Sequence, residues 1–83
     1  MKLKPAPRFR HGGQDRQADG FRRGWMVECK DVLRQGYTAQ LKAYYWYARM
    51  RGFQLMLVVR PWTKISKKLQ AMHDRGMIKI VRK

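Results

Sequence analysis

Apolar residues recur with two different periods along the chain, and the switches between them mark out short elements. In "GWMVECKDV", residues 24–32, side chains alternate as in a strand. Trp25, Val27, Cys29 and Asp31 fall on one side, and Met26, Glu28, Lys30 and Val32 on the other. Just upstream, "ADGF" carries an Asp-Gly turn signal, and Gly20 and Gly24 bracket "FRR", so a tight hairpin should lead into this strand. The spacing then becomes helical. In "TAQLKAYYWYARMRG", Leu41, Tyr44, Tyr45 and Ala48 follow the i, i+3, i+4, i+7 rule. Thr38 suits the N-cap, Arg49 and Arg51 suit the last turn, and Gly52 supplies the stop. "FQLMLVVRP" is a continuous apolar run closed by Pro61, the pattern of a buried strand. "TKISKKLQAMHDRG" predicts a second helix with Ile65, Leu69 and Met72 as its stripe, Thr63 or Ser66 as its cap and Gly76 as its stop. "MIKIVRK" alternates as a short final strand.

The predicted order is hairpin, strand, helix, strand, helix, strand. Strands joined through a helix by short loops imply parallel crossovers, so the expectation is an α/β fold with a mixed sheet. Eighty-three residues leave room for one small core. The apolar run of signals begins after residue 14. Residues 1–14, with Lys2, Lys4, Arg8 and Arg10, two Pro and two Gly, are expected to form a basic flexible arm, in which "PRFRHG" could make a short edge strand. Residues 15–83 are expected to form the single domain.

Charge changes the picture. Twenty Lys and Arg stand against five Asp and Glu, a net charge of +15. Such a surface attracts nucleic acid, anionic membrane or an acidic protein. No apolar run approaches the roughly 18 residues of a membrane span, and the basic N-terminal stretch lacks the apolar centre of a signal peptide. A single cysteine rules out an internal disulfide, and with only two His it cannot build a Cys-rich zinc site.

Against that charge, the position of the few acids is informative. Two of the five, Glu28 and Asp31, lie in "VECKDV". A hairpin turning within residues 20–24 would bring Asp19 opposite the middle of the following strand, beside Glu28 and Lys30. Paired carboxylates bind a hard cation such as Mg²⁺ or Mn²⁺ through oxygen. A neighbouring Lys can orient a water or stabilise charge developing on a phosphate. Uncompensated, the two carboxylates would repel. Asp31 reads as a strand-end residue and Asp15 as a loop charge, with Cys29 expected to face the core. In "YYWY", Tyr45 is expected to pack and Trp46 to stay exposed, where a base could stack on it. His11 and His73 read as incidental.

These residues carry a resemblance. "D-x8-E-C-K", with Asp19, Glu28 and Lys30, resembles the PD-(D/E)xK pattern of restriction-endonuclease-like nucleases, with "QAD" where that pattern has its proline. Gln40 and Tyr44 form a Q-x-x-x-Y pair similar to the extra motif of RecB-like nucleases, one helical turn apart and so on one face. The run from "VECKDV" through "YTAQLKAYYWYARMRG" to "VVRPWTKISKKLQ" is closest to the restriction-endonuclease-fold toxin domains of bacterial polymorphic and contact-dependent inhibition toxins. Their usual pattern is E-V-K-N-V, T-x-Q-L, Y-A, a Gly and V-R-P-x-T-K-[IL]-S. The likeness spans roughly residues 15 to 82. Cys29 stands where that family commonly has Val, and a basic arm stands where it usually has a further helix.

The resemblance implies a minimal restriction-endonuclease-like core and metal-dependent hydrolysis of phosphodiester bonds in DNA or RNA. Asp19 and Glu28 would hold Mg²⁺ (or Mn²⁺), Lys30 would assist the attacking water, and Gln40 and Tyr44 would orient the site. Arg60, Thr63, Lys64 and Ser66, just past a strand and at a helix start, would hold the nucleic-acid backbone. It further implies an acidic cognate immunity protein, and action in the cytoplasm after delivery as the C-terminal part of a larger toxin. Two other functions fit the same residues: a phage or repair nuclease of the same fold, or a non-catalytic basic module that binds nucleic acid.

Overall fold

The computed structural model describes residues 3–83; Lys2 of the expected arm lies outside them. In chain order, β1 (Phe9–His11) and β2 (Gln14–Arg16) form one hairpin, and β3 (Gly20–Arg22) and β4 (Trp25–Lys30) form a second. After β5 (Arg34–Gln35) come α1 (Ala39–Arg51), β6 (Gln54–Val59), β7 (Lys64–Ile65), α2 (Lys67–Asp74) and β8 (Lys79–Arg82). The central sheet has the order β3-β4-β6-β8, antiparallel at β3–β4 and parallel across β4–β6 and β6–β8. The mixed α/β order expected from the sequence is therefore present, with β5 and β7 added as a two-residue parallel ladder beside it.

The hairpin into β4 turns elsewhere than its Asp-Gly signal suggested. Arg22 pairs with Trp25, so the turn residues are Arg23 (φ 48°) and Gly24 (φ 83°). Two consecutive positive φ values give the tight turn whose twist matches the flanking strands. Asp19 is thereby left one residue before β3, across from the end of the pairing at Gly20–Val27.

Both helices cover the same sheet face. Met26 from β4, Leu55, Leu57 and Val59 from β6, Leu41, Tyr44, Tyr47 and Ala48 from α1, and Leu69 and Met72 from α2 form one buried cluster. Successive strands step across the sheet in one direction, so two right-handed crossovers must bring both helices to one side. The other face carries Val27, Cys29, Met56, Val58 and Val81, with the Lys79 ammonium 5.7 Å from the Trp25 ring centre. Cys29, expected in the core, is exposed instead. The alternation along β4 was read correctly, but its helix-covered side is the one bearing Glu28.

Helix α1 is capped as its sequence suggests. The Thr38 hydroxyl accepts the Leu41 N–H at 3.3 Å, and Gly52 ends the helix in the left-handed region. Its buried surface is wider than the predicted stripe, because Tyr47 is buried as well. The cause is the segment expected to be a loose arm. Ala6 is buried in the core, Phe9 of β1 stacks on Tyr47 at 4.1 Å, and His11 lies 5.0 Å from the exposed Trp46. The boundary drawn at residue 14 falls inside this hairpin. Tyr45 is half-buried against the cluster. Helix α2 starts at Lys67 with Ser66, not Thr63, as its cap. Ile65 lies before it in β7. His73, expected to be incidental, accepts the Ile80 N–H at 3.0 Å and ties α2 to β8.

Candidate active site

At the end of the β3–β4 hairpin, Asp19 and Glu28 are locked together through the backbone. The Asp19 N–H donates to Glu28 Oε1 at 3.2 Å, and the Cys29 N–H donates to Asp19 Oδ2 at 2.7 Å. The alternation of β4 points Glu28 and Lys30 to the helix side and leaves the Cys29 amide aimed at Asp19. Glu28 is 4% exposed. Its second oxygen, Oε2, pairs with the Lys30 ammonium at 3.2 Å. A carboxylate that buried is tolerated only when paired.

Lys30 is held in turn by α1. Its ammonium donates to Gln40 Oε1, the Gln40 amide donates to the Tyr44 hydroxyl at 3.2 Å, and that hydroxyl donates to the Gln17 carbonyl at 3.1 Å. Gln40 and Tyr44 reach this line because they stand one turn apart on the face of α1 that meets β4. Tyr44 thus belongs both to the core, where its ring is buried, and to the site. Gln17 enters through its backbone, which no side-chain motif encodes.

The electrostatics follow from burial. Desolvation raises the Glu28 pKa above the usual carboxylate value, the nearby Asp19 charge adds to this, and Lys30 acts the opposite way. Burial also raises the Tyr44 hydroxyl, with the Glu28 charge adding to it, so this group keeps its proton and remains a donor. The Cys29 thiol is raised by desolvation and then by Asp19 and Glu28, which keeps it protonated and a poor nucleophile.

The donor set suits a hard cation. It offers two adjacent carboxylates, of which Asp19 is exposed and leaves Oδ1 without a hydrogen-bond donor among the described residues. No group of three or more His, Cys, Asp or Glu side chains gathers among those residues, so a cation here would complete its shell with water, backbone or substrate oxygen. Mg²⁺, which keeps several waters, fits such a site, and a thiol-seeking or imidazole-seeking metal does not.

The expected backbone-binding residues lie together but have different surroundings. Arg60, just after β6, forms a two-pronged pair with Asp31: Nε to Oδ1 at 3.2 Å and Nη2 to Oδ2 at 3.4 Å. Thr63 is buried. Its hydroxyl accepts the Arg60 N–H at 3.2 Å and donates to the Val32 carbonyl at 2.8 Å. Ser66 spends its hydroxyl on the Leu69 N–H at 3.2 Å, and Lys64 is exposed in β7. Sequence reasoning missed Arg82, whose Nη1 donates to the carbonyls of Arg60, Pro61 and Thr63 at 3.4, 3.3 and 2.7 Å and so clamps this loop. An arginine in a final alternating strand carries no signal of that role.

A family model described as restriction endonuclease fold toxin 7 matches residues 10–69, a span that contains Asp19, Glu28, Lys30, Gln40, Tyr44 and the Arg60–Ser66 loop. No curated protein and no solved structure matches the chain.

Proposed function

Because the chain belongs to the restriction endonuclease fold toxin 7 family, we propose that it is a metal-dependent nuclease that hydrolyses phosphodiester bonds in DNA or RNA as the effector domain of a toxin. The family suggests a nuclease toxin, and the fold is a minimal restriction-endonuclease-like α/β core. The observation that carries the finer reading is the line Asp19–Glu28–Lys30–Gln40–Tyr44, in which two carboxylates and an ammonium meet at one end of the sheet.

In this reading Asp19 and Glu28 hold Mg²⁺ (or Mn²⁺), which supplies Lewis-acid stabilisation of the charge that develops on the phosphate. Lys30 directs a donor N–H toward the attacking water or the phosphate oxygen. Gln40 and Tyr44 fix where that N–H points. Arg60 and Lys64 attract the backbone of the substrate, and the +15 surface raises its local concentration. Thr63 and Ser66 contribute by building the loop and the helix cap on which those cations stand. An acidic immunity protein would find the same face attractive, and its binding would block the site. No helix among the described residues is long and apolar enough to cross a membrane.

The test is incubation with plasmid DNA, tRNA and ribosomal RNA, with Mg²⁺ and with EDTA, beside Glu28→Ala. Cleavage of at least one substrate that needs the cation and is lost in Glu28→Ala, with binding kept, is the expected result. Absence of metal-dependent cleavage of every substrate overturns the reading, and retained binding would then favour the non-catalytic module.

A further inference from the structure

A cavity of about 250 Å³ opens at the ends of β4 and β6, next to Lys30. Lys30, Arg60 and Lys83 line it, together with Cys29, Val58 and Val59, and its one acid is Asp31. Three basic residues and one acidic residue therefore line a small concave space beside the proposed catalytic line, with the Lys30 ammonium also bonded to Glu28 and Gln40. The carboxylate is not free. It sits in the fork of the Arg60 guanidinium, with Nε–Oδ1 at 3.2 Å and Nη2–Oδ2 at 3.4 Å. That two-pronged arrangement is also how a guanidinium receives a phosphate.

We propose that this cavity is a phosphate subsite for the nucleic-acid strand and that Asp31 is a built-in carboxylate that occupies it until a phosphate displaces it. The proposal rests on the nuclease reading for the identity of the strand, and adds to it the subsite, the role of Lys83 and the competition by Asp31. Two features support it. The walls are pre-formed: Arg82 clamps the Arg60–Thr63 loop, Thr63 ties that loop to Val32, the residue after Asp31, and the Lys83 N–H donates to the Val59 carbonyl at 2.8 Å. The plug is weak: the Arg60 and Asp31 side chains are 50% and 65% exposed, and an exposed ion pair of this kind contributes little, so a phosphate drawn by three cations can replace it.

The experiment uses the full chain carrying Glu28→Gln, in EDTA, so that no cleavage intervenes. Binding of pyrophosphate and of a short single-stranded oligonucleotide is measured by titration. Asp31→Asn should tighten both by about two- to fivefold, the range of an exposed ion pair. Arg60→Ala and Lys83→Ala should weaken both, the former by about tenfold, as expected for loss of hydrogen bonds to a charged group. Asp15→Asn removes the same charge from another exposed arginine pair, Arg10–Asp15, and should change neither. In the Arg60→Ala background, Asp31→Asn should lose its effect. The idea is overturned if Asp31→Asn behaves like Asp15→Asn or weakens binding. Its assignment to a nucleic-acid strand is overturned if only pyrophosphate responds. These metal-free results are independent of whether the wild-type chain cleaves anything, so failure of the subsite and failure of the nuclease reading are separable.

Discussion

Tyr44→Phe removes a single oxygen from the centre of the site and leaves the ring in place, 6.0 Å from Phe9 in an edge-on contact. The lost hydroxyl accepts from Gln40 at 3.2 Å and donates to the Gln17 carbonyl at 3.1 Å. Two hydrogen bonds at about 0.5–1.5 kcal/mol each give a stability loss of about 1–3 kcal/mol. For a domain of this size, each kcal/mol lowers the melting temperature by about 4–8 °C. Circular-dichroism melts at neutral pH without divalent cation measure this directly. Tyr47→Phe is the matched control on the same helix. The Tyr47 hydroxyl is buried without a hydrogen-bond partner among the described residues, so its removal should leave stability unchanged or raise it. In cleavage assays Tyr44→Phe should lower kcat more than it raises KM, because it loosens Gln40 and hence Lys30 without touching substrate. Equal losses in the two variants, or a Tyr44→Phe melt that coincides with wild type, would refute the idea that this hydroxyl organises the site.

Two further outcomes follow from the same structure. Burial raises the folded-state pKa of Glu28 above its ordinary value of 4.5, so the folded chain holds this proton more tightly than the unfolded chain does. Its contribution to stability is therefore full below the ordinary value and is lost as pH rises through the raised one. Subtracting the unfolding free energy of Glu28→Gln from that of wild type across this window should give a difference that falls as pH rises; a flat difference would show that the site does not strain its carboxylate. Gly20→Ala would place a Cβ 2.6 Å from Leu3 Cβ, against the strand-like contact in which Lys4 N–H donates to the Phe21 carbonyl at 3.0 Å. Overpacking of this kind costs about 1–3 kcal/mol, and limited proteolysis should then cut the first residues faster than in wild type. An unchanged digest and melt would show that Leu3 yields without cost.

The order of elements along the chain and the helix caps were legible because each rests on a local signal, such as the Thr38 cap, the Gly52 stop and the apolar run of β6. The pairing of Asp19 with Glu28 was legible too, since a short hairpin leaves few registers. What stayed hidden has particular causes. The alternation of β4 offers two faces that each carry apolar residues, so the pattern alone does not say which face the helices cover, and Cys29 was expected inward. Glutamate is seldom buried unless paired, and Glu28 lies on the helix-covered face with Lys30 as its partner. The β1–β2 hairpin was obscured because its apolar surface amounts to little more than Phe9 among basic residues, and its stability comes from docking on Tyr47. Ladders of two residues such as β5–β7 are too short to show a period. Arg82 and Gln17 act on or through backbone carbonyls, and a carbonyl leaves no trace in residue identity.

The Lys30 ammonium has three protons. One is directed to Glu28 Oε2 and one to Gln40 Oε1, and the two hydrogen bonds beyond it run onward, from Gln40 to Tyr44 and from Tyr44 to Gln17. A lysine head group in water is a rotor; here two legs of the tripod are planted and the third has one direction left. The orientational entropy of that last N–H is surrendered when the chain folds, before any substrate arrives. Arginine, with its flat fork of donors, could keep the charge at position 30 but not this geometry, so the site depends on the shape of an ammonium as well as on its sign.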